Sequence, residues 1–330
     1  MTKKILVIKL GALGDVVLAS AAFSAVRKRF PESKIYLLTT PGYFPLVENC
    51  PYFTKVFLYD RKRNFILEAG RVSSLLKKEN VQMVLNLQNN LKSNILAWRS
   101  GAPERIGFRK GMLPGLLTKS VRYHYEENGL WNINQLLSLA GCGPSENMEL
   151  YLAPDADSAA EKLLRSAGWR EEGLLGLHTG SSPEWPSKRW PKENWICLAE
   201  NLSEKGFLPV FLGDEEEVPE VRKIVAGIKG KTINLVGKTS LPVLPAVIRK
   251  CLTFISTDSG PLFLAAAAGI KTMGLYGPTD SKRHAPPGIM VFEKTDLPCR
   301  PCYHKRCREP VCLENITPDL LYDSCFREKE

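Results

Sequence analysis

Residues Lys4 to Leu18 carry the pattern that most limits what this chain can become: a strand, a glycine turn, and a helix that opens on an aspartate. Ile5 to Leu10 is an almost unbroken apolar run, as a strand covered on both faces of a parallel sheet requires. Gly11 and Gly14 permit backbone angles and close approaches that a side chain forbids. Asp15 stands at the expected start of the helix, where a carboxylate satisfies free N–H groups and suits the helix dipole. Taken alone it is a helix cap. In an open α/β sheet, however, ligands bind at the carboxyl ends of the strands. Asp15 stands on that edge, so it is also placed to act as a catalytic base.

The same alternation recurs along the chain. Further strands are expected at 34–39, 55–59 and 81–87, with helices at 16–30 and 65–78 and more of both to about Gly141. The turn-rich stretch from Gly141 to Pro154 reads as a linker. A helix at 156–167 follows, and the alternation then restarts. Strands are expected at 174–178, 207–212, 232–235, 253–256 and 272–276, and helices at 191–205, 217–226, 241–250 and 261–268. This is an α/β chain of two doubly wound halves, and facing strand ends would leave a cleft between them.

With 330 residues, 44% hydrophobic and 24% charged, the chain is long enough for two cores and ordinary in composition. No apolar run approaches the roughly 20 residues of a membrane-spanning helix, so no transmembrane segment is expected. The N-terminus enters a strand directly without a secretory pattern, which implies a cytoplasmic location. A net charge of +10 asks for an acidic partner. Phosphates, nucleic acid and an anionic membrane surface all qualify, and composition does not choose among them.

Of the nine cysteines, Cys50, Cys142, Cys197 and Cys251 are scattered and read as small buried apolar side chains. Cys299, Cys302, Cys307 and Cys312 lie within fourteen residues, and Cys325 follows. In a reducing compartment such a cluster means metal or free thiols rather than disulfides. Cys299-Arg300-Pro301-Cys302 has zinc-like spacing but no matching second pair, so a structural metal site and a loop of free thiols both remain open.

Three strand-end loops of the second half concentrate polar residues. The first runs His178-Thr179-Gly180-Ser181-Ser182 and on to Lys188-Arg189-Trp190-Pro191. Its small residues expose N–H groups, its hydroxyls add donors, and a helix start after two cations favours a diphosphate. The second, Gly213-Asp214-Glu215-Glu216-Glu217, offers carboxylates to ribose hydroxyls, though first-turn helix acids look the same. The third, Ser256-Thr257-Asp258-Ser259-Gly260-Pro261, turns into an apolar helix, and Gly260 admits a ligand closely. Gly277-Pro278-Thr279-Asp280 closes the set. There is no Gly-x-x-x-x-Gly-Lys-Ser/Thr loop, no Gly-x-Gly-x-x-Gly, no His-Glu-x-x-His and no Gly-x-Ser-x-Gly. P-loop phosphoryl transfer and the common hydrolase sites are therefore not indicated.

Lys9-Leu10-Gly11-Ala12-Leu13-Gly14-Asp15-Val16, Lys188-Arg189-Trp190-Pro191, Asp258-Ser259-Gly260-Pro261 and Leu275-Tyr276-Gly277-Pro278-Thr279, in this order, resemble the motifs of bacterial heptosyltransferases, glycosyltransferase family nine. The resemblance spans nearly the whole chain. It implies a GT-B architecture, two Rossmann-like domains facing a central cleft. Residues 1–150 would bind the acceptor and 151–315 the nucleotide sugar, while 316–330 would form a helix returning to the first domain. It implies inverting, metal-independent transfer of a heptose from ADP-heptose to the inner core of lipopolysaccharide, with no cofactor and no nucleic acid. The lipid A-anchored acceptor would place the protein at the inner face of the inner membrane.

Residue by residue, the resemblance makes Asp15 the base and Lys188 the diphosphate ligand, with Thr179, Gly180, Ser181 and Ser182 in the donor loop. Asp258, Ser259 and Gly260 would meet the donor sugar and phosphates. One acid among Glu215, Glu216 and Glu217 would meet the ribose, and Thr239 in Gly237-Lys238-Thr239-Ser240-Leu241 would border the adenine. Gly11 and Gly14, with the basic run Arg61, Lys62 and Arg63, would serve the anionic acceptor, together with Lys92, Arg99, Arg105, Arg109 and Lys110. One departure stands out: many family members have a histidine five residues after the third-loop aspartate, where this chain has Phe263. Two rivals remain at this level. One is a family-nine transferase using another nucleotide sugar or another acceptor. The other is a non-catalytic nucleotide or nucleic-acid binder, which would have no need of Asp15.

Overall fold

The computed structural model describes residues 2–109, 113, 115–145 and 147–326. The chain divides into two compact units, Met1–Tyr151 and Leu152–Glu330. Each is built on one fully parallel six-stranded sheet.

In the first unit the strands are β1 (Lys4–Ile8), β2 (Lys34–Thr39), β3 (Lys55–Leu58), β4 (Met83–Asn86), β5 (Glu104–Phe108) and β6 (Lys119–Val121), in the order β3-β2-β1-β4-β5-β6. That order reverses direction between β1 and β4, the switch point at which open α/β sheets bind ligands. β1 lies between β2 and β4, with Ile5 opposite both Ile35 and Met83. Ile5, Leu6, Val7 and Ile8 are completely buried, which is why the run lacks polar alternation. The helix α1 (Leu13–Arg29) is buried almost all round from Val16 to Phe23. It packs against the helix Gly129–Leu139 as well as the sheet, so its sequence is apolar on every side.

The second unit repeats the plan with β7 (Leu174–His178), β8 (Leu208–Phe211), β9 (Ile233–Asn234), β10 (Cys251–Thr257), β11 (Lys271–Tyr276) and β12 (Met290–Glu293), ordered β12-β11-β10-β7-β8-β9. Its switch point lies between β7 and β10, where Ser256 is opposite His178. Below it, Leu175, Leu177, Trp195, Ile255 and Met273 belong to one apolar cluster.

Some expectations need correction. α1 begins at Leu13, a turn earlier than expected, because Ala12 already holds the extended cap conformation. β12 has no counterpart among the expected strands, and the strand material expected before Gly141 resolves into β5 and the short β6, whose Lys119 and Ser120 are exposed, so no apolar run marks it. The terminal helix Pro318–Phe326 packs on the helix Lys192–Glu204, where Leu321 and Cys325 join the core of Trp195 and Leu198. Residues 327–330 of that segment lie outside the described residues. Cys197 is exposed, whereas Cys50, Cys142 and Cys251 are buried as expected. Among the described residues no helix is long and apolar enough to cross a membrane.

Candidate active site

At the carboxyl end of β1 the chain turns at Gly11, whose φ of +114° only glycine adopts readily. A side chain there would also collide with the ring of Tyr43. Gly14 lies inside α1 and is buried, so it serves helix packing rather than the turn. Asp15 is the third residue of α1. Its Oδ2 accepts the Ala12 N–H at 3.3 Å, yet its side chain is 53% exposed. The carboxylate is both a cap and open to solvent. Lys9, read from sequence only as a strand residue, brings its buried Nζ to 3.9 Å from the same oxygen. Its one hydrogen bond among the described residues is to the Leu87 carbonyl, at 3.4 Å. Burial pushes the Lys9 ammonium below its ordinary value against the pull of Asp15, and the charge of Arg61 adds to the fall.

Arg61, Lys62 and Arg63 are exposed on the loop after β3. Arg63 is paired with Asp60 at 3.4 Å and with Glu68 at 3.8 Å. Arg105, one of the expected acceptor cations, is instead wrapped by the carbonyls of Ala102, Gly115 and Leu116. Lys110 lies outside the described residues. Glu68, whose side chain has no exposure, organises the basic loop by accepting the Asp60 N–H at 2.9 Å and pairing with Arg71. The Arg71 hydrogen bond outweighs burial and holds the Glu68 carboxyl at about 2, against 4.5 for the free group. Because the folded value is the lower one, Glu68 stabilises the fold above about pH 4.5 and loses that contribution as the pH falls towards 2. Glu68→Gln is expected to lower stability at neutral pH by about 1–3 kcal/mol. It should also flatten the dependence below pH 4.5, read by urea unfolding across that range.

In the second unit three of the expected loops meet at the β7/β10 switch point. Lys188 Nζ is 2.7 Å from Asp258 Oδ2, and the Thr279 hydroxyl donates to the same oxygen at 2.7 Å. The two side chains of the ion pair are 16% and 8% exposed. Lys188 also lies 4.9 Å over the ring of Trp185. The hydroxyl of Thr257 donates to the Gly180 carbonyl, tying β10 to the loop after β7. Ser181 donates to the Trp185 carbonyl at 2.8 Å, which folds the loop so that Lys188 points inward. Thr179 is buried and Ser182 exposed. Ser259 is engaged with His178 Nδ1 at 3.1 Å, and Gly260 starts the helix Gly260–Ala267, of which Leu262, Leu264 and Ala265 are buried.

The acidic loop does not act as a single unit. Glu215 is exposed, but Glu217 turns inward: its carboxylate accepts the Asp214 N–H at 3.0 Å and lies 3.3 Å from His178 Nε2. It fills the space above Gly180, where a Cβ would collide with it. Burial alone would raise the Glu217 carboxyl, yet the His178 and Asp214 contacts hold it below the usual range. Of the acids expected at the ribose, Glu215 and Glu216 are exposed, whereas Glu217 is engaged. The Gly237–Thr239 turn packs beside Glu215 and Val218, so the second loop and the Thr239 segment are neighbours.

Three residues at this site have no role assigned from sequence, although His178 and Arg300 lie inside motifs named there. His178 links Ser256, Ser259 and Glu217. His284 has a buried Nε2 without a hydrogen-bond partner among the described residues, and burial lowers its basicity, with Asp258 and Lys188 acting on it oppositely. Arg300, its side chain 6% exposed, donates to the carbonyls of Gly277, Lys294 and Thr279 and pairs with Glu293 at 2.8 Å. It thereby fixes the turn that carries Thr279. This explains the cysteine loop. Cys299 and Cys307 are exposed and Cys312 is buried, and among the described residues no three potential ligands gather to hold a metal ion. The zinc-like spacing of Cys299 and Cys302 brackets Arg300.

The family model for glycosyltransferase family 9 (heptosyltransferase) matches residues 70–312, more than half of the chain, including every second-unit site residue but not the Asp15 turn. Over 292 residues the chain is 26% identical to lipopolysaccharide heptosyltransferase 2 of Salmonella typhimurium, covering 84% of this chain and 83% of that protein. Among solved structures it resembles the glycosyl transferase family 9 protein from Veillonella parvula (TM-score 0.86, 23% identity, 97% of this chain and 95% of that one). It also resembles the E. coli ADP-heptose lps heptosyltransferase II (TM-score 0.79, 22% identity, 97% and 96%). These likenesses establish the GT-B α/β fold.

Proposed function

Because the chain belongs to glycosyltransferase family 9, the heptosyltransferases, we propose that it moves a heptose from ADP-heptose to the inner core of lipopolysaccharide. The observation that carries this reading is the Lys188–Asp258–Thr279 cluster at the second switch point, inside the stretch matched by the family. A largely covered ammonium that is still reachable from solvent suits a diphosphate leaving group. The names of the relatives, an ADP-heptose enzyme and lipopolysaccharide heptosyltransferases, support the donor and the acceptor.

The transfer breaks the bond between the anomeric carbon and the diphosphate oxygen, whose electrons leave on ADP. The acceptor oxygen bonds to the opposite face of that carbon, so the configuration inverts, and its proton passes to Asp15. The exposure of the Asp15 carboxylate supports this role. Lys188 stabilises the charge that grows on the departing diphosphate, a task that needs no cofactor. Glu215 meets the ribose, Thr239 the adenine side, and Arg61 and Lys62 the anionic acceptor.

The test is ADP release by the purified protein given ADP-heptose and a heptose-deficient core lipid. Release requiring both substrates, with a product of inverted anomeric configuration, is the expected result. Equal release with a different sugar nucleotide and none with ADP-heptose would favour another donor, the alternative raised by Phe263 where many relatives have histidine. Binding of ADP without release from any donor would leave a non-catalytic binder.

A further inference from the structure

We propose that the first unit docks on an anionic phospholipid bilayer through the loop after β3 and the first turn of the helix α2 (Phe65–Glu79). Ile66 and Leu67 are 73% and 74% exposed, more than any other large apolar side chain among the described residues. Their position is held rather than accidental. The Asn64 side chain caps α2 by accepting the Ile66 N–H at 2.9 Å and the Leu67 N–H at 3.4 Å. The face of α2 that enters the core is made instead by Ala69, Val72 and Leu76. Two adjacent branched side chains are therefore presented outward by a fixed turn, with no described residue of this unit covering them.

Charge identifies the occupant. Arg61, Lys62 and Arg63 immediately precede the turn and are exposed, and Lys92, at the start of the helix α3 (Leu91–Arg99), lies 5.5 Å over the Phe65 ring. The nearby acids are spent on Arg63 and Arg71, Asp60 pairing with Arg63 and the buried Glu68 with both, so Arg61, Lys62 and Lys92 have no ion-pair partner among the described residues. Exposed apolar side chains ringed by cations match a surface of anionic headgroups over acyl chains, and a purely aqueous anion would leave Ile66 and Leu67 without a role. α2 and α3 both start at the carboxyl edge of the first sheet, the edge that carries Asp15. Docking there holds the bilayer beside the proposed base. The inference rests on the proposed function only for the presence of a lipid-anchored acceptor in that bilayer.

The experiment is flotation of the full chain with vesicles of phosphatidylglycerol and phosphatidylethanolamine, set against phosphatidylcholine alone. The protein is expected to float with the anionic vesicles only and to be released by salt, since screening shortens the reach of its cations. Ile66→Ser/Leu67→Ser is expected to cut the bound fraction by about tenfold or more, as burial of two branched side chains is lost. The same variant should retain transfer to a deacylated, soluble acceptor and lose transfer to one embedded in vesicles. Leu67→Glu, a single change at an exposed site, gives a second reading should the double variant fold poorly. Failure of the unaltered protein to bind anionic vesicles, or undiminished binding by both variants, would overturn the proposal. So would concentration-dependent self-association abolished by these changes without vesicle binding, which would assign the face to a second copy. Vesicle binding needs no sugar donor, so a protein that floats but releases no ADP overturns the function and leaves the docking intact.

Discussion

Asp15→Asn is expected to reduce turnover by about 10²- to 10⁴-fold, the usual worth of a general base, while ADP binds as before. Asparagine keeps the shape of the side chain and can still accept the Ala12 N–H that Asp15 accepts at 3.3 Å. What it removes is the capacity to take the acceptor proton. The donor KM should therefore hold while kcat falls, the signature of an interaction made only in the transition state. Measuring kcat, donor KM and ADP affinity by calorimetry on the same preparation separates this from misfolding. A variant that turns over as fast as the parent would strip Asp15 of its role and reduce it to the cap it also is.

Lys188→Met is expected to act in the opposite unit and in a different way. Loss of the ammonium that meets the diphosphate should lower kcat by about 10²- to 10³-fold, the range seen when one preorganised charge-stabilising group is removed. Here the donor KM and ADP affinity should worsen as well, because the diphosphate is present in the ground state too. The change also orphans the Asp258 carboxylate, 8% exposed and left with only the Thr279 hydroxyl. A stability loss of about 1–3 kcal/mol by urea unfolding should accompany it. Lys188→Arg restores the charge without the geometry, so it should recover stability before it recovers rate. Unchanged ADP affinity in Lys188→Met would detach the lysine from the donor.

These two effects bear on different halves of one reaction. Asp15 is judged by kcat alone, whereas Lys188 moves kcat, KM and binding together. The contrast also tests whether the Asp15 turn, which lies outside the family-matched residues 70–312, takes part in the same chemistry as the loops inside it.

Much of this was legible in the chain before any coordinates. The completely buried residues Ile5 to Ile8 had to be apolar throughout because a central parallel strand meets helices on both faces, and that requirement is written directly into the residues. Gly11, Asp15, Lys188 and Asp258 were legible for a related reason: turns and strand ends demand particular residue types at particular places, so local chemistry announces them. Only the tertiary structure could decide which polar groups remain available once the loops meet. The inward turn of Glu217 to His178 and the hold of Arg300 on the Thr279 turn both join residues well separated in the chain. A hydrogen bond across such distances leaves no periodicity or spacing to read, and the strand order that brings β7 beside β10 is fixed by packing rather than by either strand's own residues.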